Sequence, residues 1–184
     1  DPLEKMGLGS PKAIHLISSA MQLAFVDRAR YLGDDDFVKV PTKSLISKKY
    51  ALALRKKISP LRANTFDGVK GKTPFPYESD ETTHFTIMDT QGTVISSTQT
   101  INGWMGSGFV VPGTGILLNN DMDDFATKVG AKNLFGAVGG EKNLIRPGKR
   151  PLSSMSPTIM LKNSKPVLAL GTPSGTRILT CVAQ

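Results

Sequence analysis

Cysteine and histidine are both scarce in this chain. Among 184 residues there is one cysteine, Cys181, and there are two histidines, His15 and His84. An internal disulfide and a cysteine-based zinc knuckle are excluded at once. A zinc site or a Ser-His-Asp triad held within the chain would have to use one of the two histidines. Aromatic residues are few, and a lone Tyr50 between the basic runs does not make the aromatic interleaving that base stacking requires. No apolar run approaches the ~20 residues of a membrane span. No basic-then-apolar leader stands at Asp1. A chain opening without Met and stopping at Cys181-Val-Ala-Gln184 reads as a piece of a longer one.

What remains has the composition of a soluble globular domain with a core of its own, 39% hydrophobic and 21% charged. The net charge of +8 raises the question of nucleic acid. The excess is spread evenly, +4 over residues 1–81 and +4 over 82–184. Its densest runs, Lys48-Lys49 and Arg55-Lys56-Lys57, alternate with Leu and Ala as on the wet face of a helix. No nucleic-acid partner is expected.

The first half reads as helical. Ser10 suits an N-cap with Pro11 at the first helical position. Ile14, Ile17, Met21, Ala24 and Phe25 follow at helical spacing, and Gly33 ends the run. His15 lies beside that stripe and reads as a surface or satisfied helix residue rather than a ligand. Asp34-Asp35-Asp36 lacks the glycine and glutamate spacing of a calcium loop and reads as a solvated turn. Ser47 caps a second helix with Ala51, Leu54 and Ile58 inward, stopped by Pro60. Residues 61–81 lose all periodicity and form the boundary between a helical part and a β-rich part.

The second half reads as strands. Segments 83–89 and 93–100 are rich in β-branched and aromatic residues and flank Thr90-Gln91-Gly92. Asp89 suits the first position of a type I turn, and Gly92 the left-handed residue closing a three-residue loop. Such a loop pairs Asp89 with Thr93, and the ladder then sets Thr82 opposite Thr100 on one face. A two-residue loop would separate them. A second hairpin is expected from 158–162 and 166–170 about Asn163-Ser164.

On spacing alone, the remaining candidates are modest. Gly106-Ser-Gly108 and Gly113-Thr-Gly115 match neither a dinucleotide fingerprint nor a phosphate loop, and so serve turns. The run Ile116-Leu-Leu-Asn-Asn-Asp-Met-Asp-Asp124 places a polar, acidic cluster of Asn119, Asn120, Asp121, Asp123 and Asp124 at the end of a buried strand. That cluster is either a cation or ammonium site or simply a polar turn. Arg150-Pro-Leu-Ser-Ser-Met-Ser-Pro157 and Gly171-Thr-Pro-Ser-Gly-Thr-Arg177 are loops rich in hydroxyls and glycine, of the kind that can present N–H groups to an anion.

Five stretches, in order along the chain, carry a resemblance. Pro76-Tyr-Glu-Ser-Asp-Glu-Thr-Thr-His-Phe85 resembles the processing site of the gamma-glutamyltransferase family of N-terminal-nucleophile hydrolases. Leu117-Leu-Asn-Asn-Asp-Met-Asp-Asp-Phe125 and Arg150-Pro-Leu-Ser-Ser-Met-Ser-Pro-Thr158 resemble two further signatures. Ala29-Arg-Tyr-Leu-Gly-Asp34 and Asp36-Phe-Val-Lys-Val-Pro41 match upstream.

The resemblance implies an α+β fold, part of an αββα sandwich with antiparallel sheets flanked by helices. Residues 1–81 would end the large subunit and 82–184 would begin the small one, both from one precursor that cuts itself between Glu81 and Thr82. The freed α-amine, with a pKa near ~8, would serve as the local base where histidine is scarce. By resemblance, Thr82 is the nucleophile and Thr100 its hydrogen-bond partner. Asn102, Asp121 and Asp124 would bind the glutamyl α-amine, and Ser153 and Ser154 the α-carboxylate. The N–H groups of Ser174 and Gly175 would form the oxyanion hole, and 128–140 a lid with Phe135 at its aromatic position.

Three departures stand out. Asp121 is a methylene shorter than the family's usual Gln or Glu, Ser174 replaces a usual glycine, and Phe135 lacks the hydroxyl of the frequent tyrosine. The arginine that grips the substrate carboxylate in the family lies in sequence this chain does not contain. The expected substrates are glutathione and related gamma-glutamyl amides, with water, amino acids or peptides as acceptors. No cofactor and no metal are expected, and the expected location is periplasmic or secreted. The alternatives are a related acylase or polyglutamate hydrolase, or an inactive, unprocessed fragment.

Overall fold

The computed structural model describes residues 3–7, 9–63 and 81–184. Its first long element is α1, Pro11–Tyr31, and it begins as the sequence predicts: Ser10 Oγ accepts the Ala13 N–H at 3.2 Å and Pro11 needs no partner. The buried positions depart from the expected stripe. Ala13, Ser19, Leu23 and Val26 are buried, whereas Ile14 and Ala24 are exposed. The reason is that α1 packs against several elements, α3 and the 3-10 turns Leu3–Met6 and Glu141–Asn143, so a single stripe does not describe it.

A short α2, Thr42–Leu45, precedes α3, Lys48–Arg55, whose cap is Ser47 accepting the Tyr50 N–H at 3.2 Å. Of the three residues expected inward, Ile58 is buried, Leu54 is half-buried and Ala51 is exposed. All three line an open apolar groove against α1. His15 Nε2 donates to the Ser59 carbonyl at 2.7 Å, which ties α1 to the end of this helical part. The expected loop over 61–81 lies for its greater part, 64–80, outside the described residues.

The chain then enters β1, Thr83–Met88, which pairs antiparallel with β2, Val94–Gln99. The three-residue loop forms as its chemistry dictates. Asp89 Oδ1 accepts from the N–H groups of Gln91 (2.9 Å) and Thr93 (2.8 Å), and Gly92 is left-handed with φ 87. The register runs Thr83↔Gln99 to Met88↔Val94, so Thr82 and Thr100 face each other at its open end. The second hairpin joins β3, Thr158–Lys162, to β4, Lys165–Leu170, through Asn163 and Ser164, both left-handed as a two-residue loop requires. The hairpins lie against each other, and Ser96 Oγ donates to the Leu170 carbonyl at 3.3 Å. A final short helix, α4, spans Ile178–Ala183.

One expectation fails. Residues 116–119 are not a buried strand: Ile116 and Leu118 are exposed, and Leu117 makes only an isolated bridge to Val110. The run pairs only with the segment 107–111, where the Val111 N–H donates to the Ile116 carbonyl and the Leu118 N–H to the Phe109 carbonyl, both at 2.9 Å, and this local pairing leaves its apolar side chains largely exposed. The acidic cluster after it is the 3-10 turn Asp121–Asp124. Among the described residues no helix is long and apolar enough to cross a membrane.

Candidate active site

Hairpin register decides where the site begins. Because β1 and β2 end together, Thr82 Oγ1 reaches Thr100 Oγ1 at 3.0 Å, and Thr82 is buried. The Thr100 oxygen also accepts the Asn102 N–H at 2.9 Å, so a backbone group fixes its position. Asn102 is buried with φ 76, a conformation asparagine tolerates better than most residues. Glu81 sits half-buried in the turn just before Thr82.

The acidic turn is held against this hairpin by a residue with no bridging role foreseen for it, Asn120. Its Oδ1 accepts the Gly103 N–H at 2.7 Å, its N–H donates to the Ile101 carbonyl at 3.2 Å, and its Nδ2 donates to Asp123 Oδ2 at 2.8 Å. Asn102 Nδ2 donates to the Asn120 carbonyl at 3.2 Å and, at a long 3.5 Å, to Asp124 Oδ1. Burial with so weak a partner pushes the Asp124 carboxyl up to about 6. Asn102 and the Arg28 charge pull it down, while Asp121 and Asp123 push it further up. Burial also raises Asp121.

Asn143, likewise without a foreseen role, connects the acidic turn to the hydroxyl loop. Its Nδ2 donates to the Asp124 carbonyl at 2.8 Å while its Oδ1 accepts the Leu152 N–H at 3.0 Å. The loop that follows carries Ser153, whose Oγ accepts the Met155 N–H at 3.1 Å, and Ser154, whose Oγ accepts from an Arg28 NH2 group at 3.0 Å. The loop's start is pinned by Arg150. Its N–H and Nε donate to Asp34 Oδ2 at 2.8 and 3.1 Å, and its NH2 group reaches Asp36 Oδ2 at 2.6 Å. Asp34, Asp35 and Asp36 form the one grouping of potential metal ligands among the described residues, and the Arg150 cation already lies within reach of all three. The sequence reading of these residues as a solvated turn thus needs amending for Asp34, which is buried.

The fourth wall is the turn after β4. Ser174 adopts φ 111 and ψ 40, and Gly175 φ 53. The substitution of a usual glycine therefore falls where the backbone does favour glycine, and Ser174 carries strain of about 1–2 kcal/mol. Gly175 has a second constraint: a Cβ there would lie 2.8 Å from Phe135 Cδ1. Phe135 is buried at the tip of a hairpin-like loop. There Asn133 Oδ1 accepts the Phe135 and Ala137 N–H groups, and Leu134 N–H donates to the Asp123 carbonyl at 3.1 Å.

These segments enclose a cavity of about 180 Å³. Thr82, Thr100, Asn102, Asp121, Asp124, Phe135, Ser153, Ser154 and Gly175 line it together with Pro151, Met155 and Ile178. Ser174 and Glu81 adjoin the wall without lining it. The cavity holds a hydroxyl backed by a second hydroxyl, two acidic groups to one side and two serines to another. That combination suits a small ligand bearing a cation and an anion beside an electrophilic carbon.

The chain is similar over most of its length to known proteins. A glutathione hydrolase proenzyme of Pseudomonas sp. (strain A14) is 47% identical over 179 residues, which is 97% of this chain and 31% of that protein. The corresponding proenzyme of Escherichia coli (strain K12) is 44% identical over 182 residues, 99% of this chain and 31% of that protein. The chain thus spans under a third of the length of these curated relatives. A gamma-glutamyltranspeptidase from Pseudomonas nitroreducens, solved in complex with L-DON, matches with a TM-score of 0.54 and 53% identity over 55% of this chain and 53% of that one. The Gamma-glutamyltranspeptidase profile matches residues 2–184, and the chain belongs to the gamma-glutamyltranspeptidase family.

Proposed function

We propose that the full protein transfers or hydrolyses gamma-glutamyl groups of glutathione and related amides through an ester on Thr82. Residues 1–81 then end the large subunit and 82–184 begin the small one, and the hairpins and helices are part of an αββα sandwich. In maturation the Thr82 hydroxyl attacks the Glu81 carbonyl and its proton passes to the departing amide nitrogen. The acyl group thereby moves from nitrogen to oxygen. Water hydrolyses that ester, leaving the Glu81 carboxylate and a free Thr82 amine.

In turnover the same hydroxyl attacks the donor's γ-carbonyl, and the Thr82 amine takes the proton and returns it to the leaving amine. The developing oxyanion lies at the N–H groups of Ser174 and Gly175, a term worth about 3–4 kcal/mol per donor in other enzymes. Water or an acceptor amine then takes the glutamyl group. Asp124, with Asn102 and Asp121, receives the α-ammonium. Ser153 and Ser154 receive the α-carboxylate.

The observation that supports this reading most is the Thr82–Thr100 hydroxyl pair at 3.0 Å on the wall of the cavity that Asp124 and Ser154 share. The test compares a gamma-glutamyl anilide with a glutaryl anilide, which lacks only the α-amine, on the full-length protein. The gamma-glutamyl substrate should be preferred by at least about 100-fold in kcat/KM. Preference for the glutaryl compound overturns the reading in favour of an acylase.

A further inference from the structure

Arg28 is absent from every role given above. It sits in the last turns of α1, in the part of the chain before Thr82, yet its side chain crosses to the hydroxyl loop after it. One NH2 group donates to Ser154 Oγ at 3.0 Å and reaches the Leu152 carbonyl at 3.5 Å. Both partners are uncharged, and among the described residues no carboxylate closes a salt bridge with it. Burial pulls its pKa down, and Asp124, felt through space, pulls it back up. A guanidinium stays protonated under any such shift, so a positive charge is held half-buried without an ion-pair partner among the described residues. Such an arrangement opposes folding unless something else draws on it.

We propose that Arg28 is a positioning residue for carboxylate recognition and acts through Ser154. A serine hydroxyl has one proton to give. With Arg28 donating to its oxygen, the Ser154 O–H is the donor left for the cavity that Ser154 lines and Arg28 does not. The guanidinium behind it polarises the hydroxyl, which strengthens the bond to an incoming anion. Arg28 does not touch the substrate, and so differs from the family's carboxylate-gripping arginine, which lies outside this chain. The inference rests on the reading of Ser154 as a carboxylate donor, and the experiment separates the two.

The readout is the ratio of kcat/KM for a gamma-glutamyl anilide to that for a 4-aminobutyryl anilide, which lacks only the α-carboxylate, in the full-length processed enzyme. Arg28→Met should lower that ratio roughly tenfold, mainly through KM for the gamma-glutamyl substrate, and leave turnover of the other nearly unchanged. Arg28→Lys keeps the charge without the forked donor and should lower it about threefold. Ser154→Ala should lower the ratio too, and adding Arg28→Met to it should lower it no further.

A wild-type ratio in Arg28→Met, with Ser154→Ala impaired, overturns the inference and leaves the subsite reading standing. Additive losses in the double variant overturn it as well, because Arg28 would then act independently of Ser154. An unchanged ratio in Ser154→Ala overturns the subsite reading and the inference with it. Should Arg28→Met fail to accumulate as processed subunits, an unchanged ratio in Arg28→Lys is sufficient to reject the proposal.

Discussion

Asp34 and Asp124 are both carboxylates near an arginine where the first helix meets the loops after Thr82, and the fold treats them in opposite ways. Asp34 receives hydrogen bonds from the Arg150 side chain and N–H and from the Asp36 N–H, which hold it well below the usual carboxylate range. Asp124 receives one long bond from Asn102, feels Arg28 only at a distance, faces Asp121 and Asp123, and is pushed up to about 6. A carboxylate whose bonding needs are met by its own chain has become a staple. One left short of partners at a cavity wall is available to a ligand that brings the missing charge. The same residue type thus separates structure from function by its local bonding.

The strongest way to break this contrast is to neutralise each aspartate in turn. Asp124→Asn should lower kcat/KM for a gamma-glutamyl anilide by about 100-fold. It should also stabilise the protein, because a group ordinarily at 3.8 and raised to about 6 weakens folding as pH rises through that interval. The gain in a denaturant titration at pH 8 is on the order of 1–2 kcal/mol once solvent screening of a half-buried group is allowed for. Equal or lower stability in Asp124→Asn contradicts the contrast.

Asp34→Asn should do the reverse. Its depressed pKa contributes stability that is fully present above ~4 and lost as pH falls through its folded value. The variant should melt several degrees lower at neutral pH while retaining activity within about tenfold, the loss arising from a looser Ser153–Ser154 loop. A wild-type melting profile would show that the staple contributes nothing.

The pH profile is a subtler test. If the Thr82 amine, with a pKa near ~8, is the base, log kcat/KM should fall with unit slope below that value. Below about 6 the slope should steepen to two as Asp124 also protonates, and Asp124→Asn should remove only that second break. The smallest effect is a control on both aspartates. Ser174→Gly relieves the strained φ of 111 and should raise stability by about 1 kcal/mol without moving either break.

What the sequence made legible was local. Asp89 and Gly92 determined a loop length, the loop length determined the register, and the register brought Thr82 to Thr100. Ser10, Ser47 and the Asn163-Ser164 turn were equally readable, because caps and turns depend on neighbours in the chain. The acidic turn and the two hydroxyl loops were assigned roles only by resemblance, since on spacing alone each is an ordinary loop. Arg28 went unread because its partners lie far along the chain, and Asn120 and Asn143 because no periodicity marks an asparagine that bridges two loops. The 116–119 run misled for a related reason: apolar composition suggests a buried strand, but burial depends on a neighbour the local sequence does not reveal.

The proposed gamma-glutamyl chemistry depends on Thr82 as a nucleophile freed by cleavage of its own peptide bond. The direct measurement is mass spectrometry of the active full-length protein, before and after reaction with a gamma-glutamyl analogue bearing an electrophile. Two subunits should appear, the smaller beginning at Thr82, and the adduct should map to the Thr82 oxygen. An uncut, active chain, or an adduct on any other side chain, would contradict it.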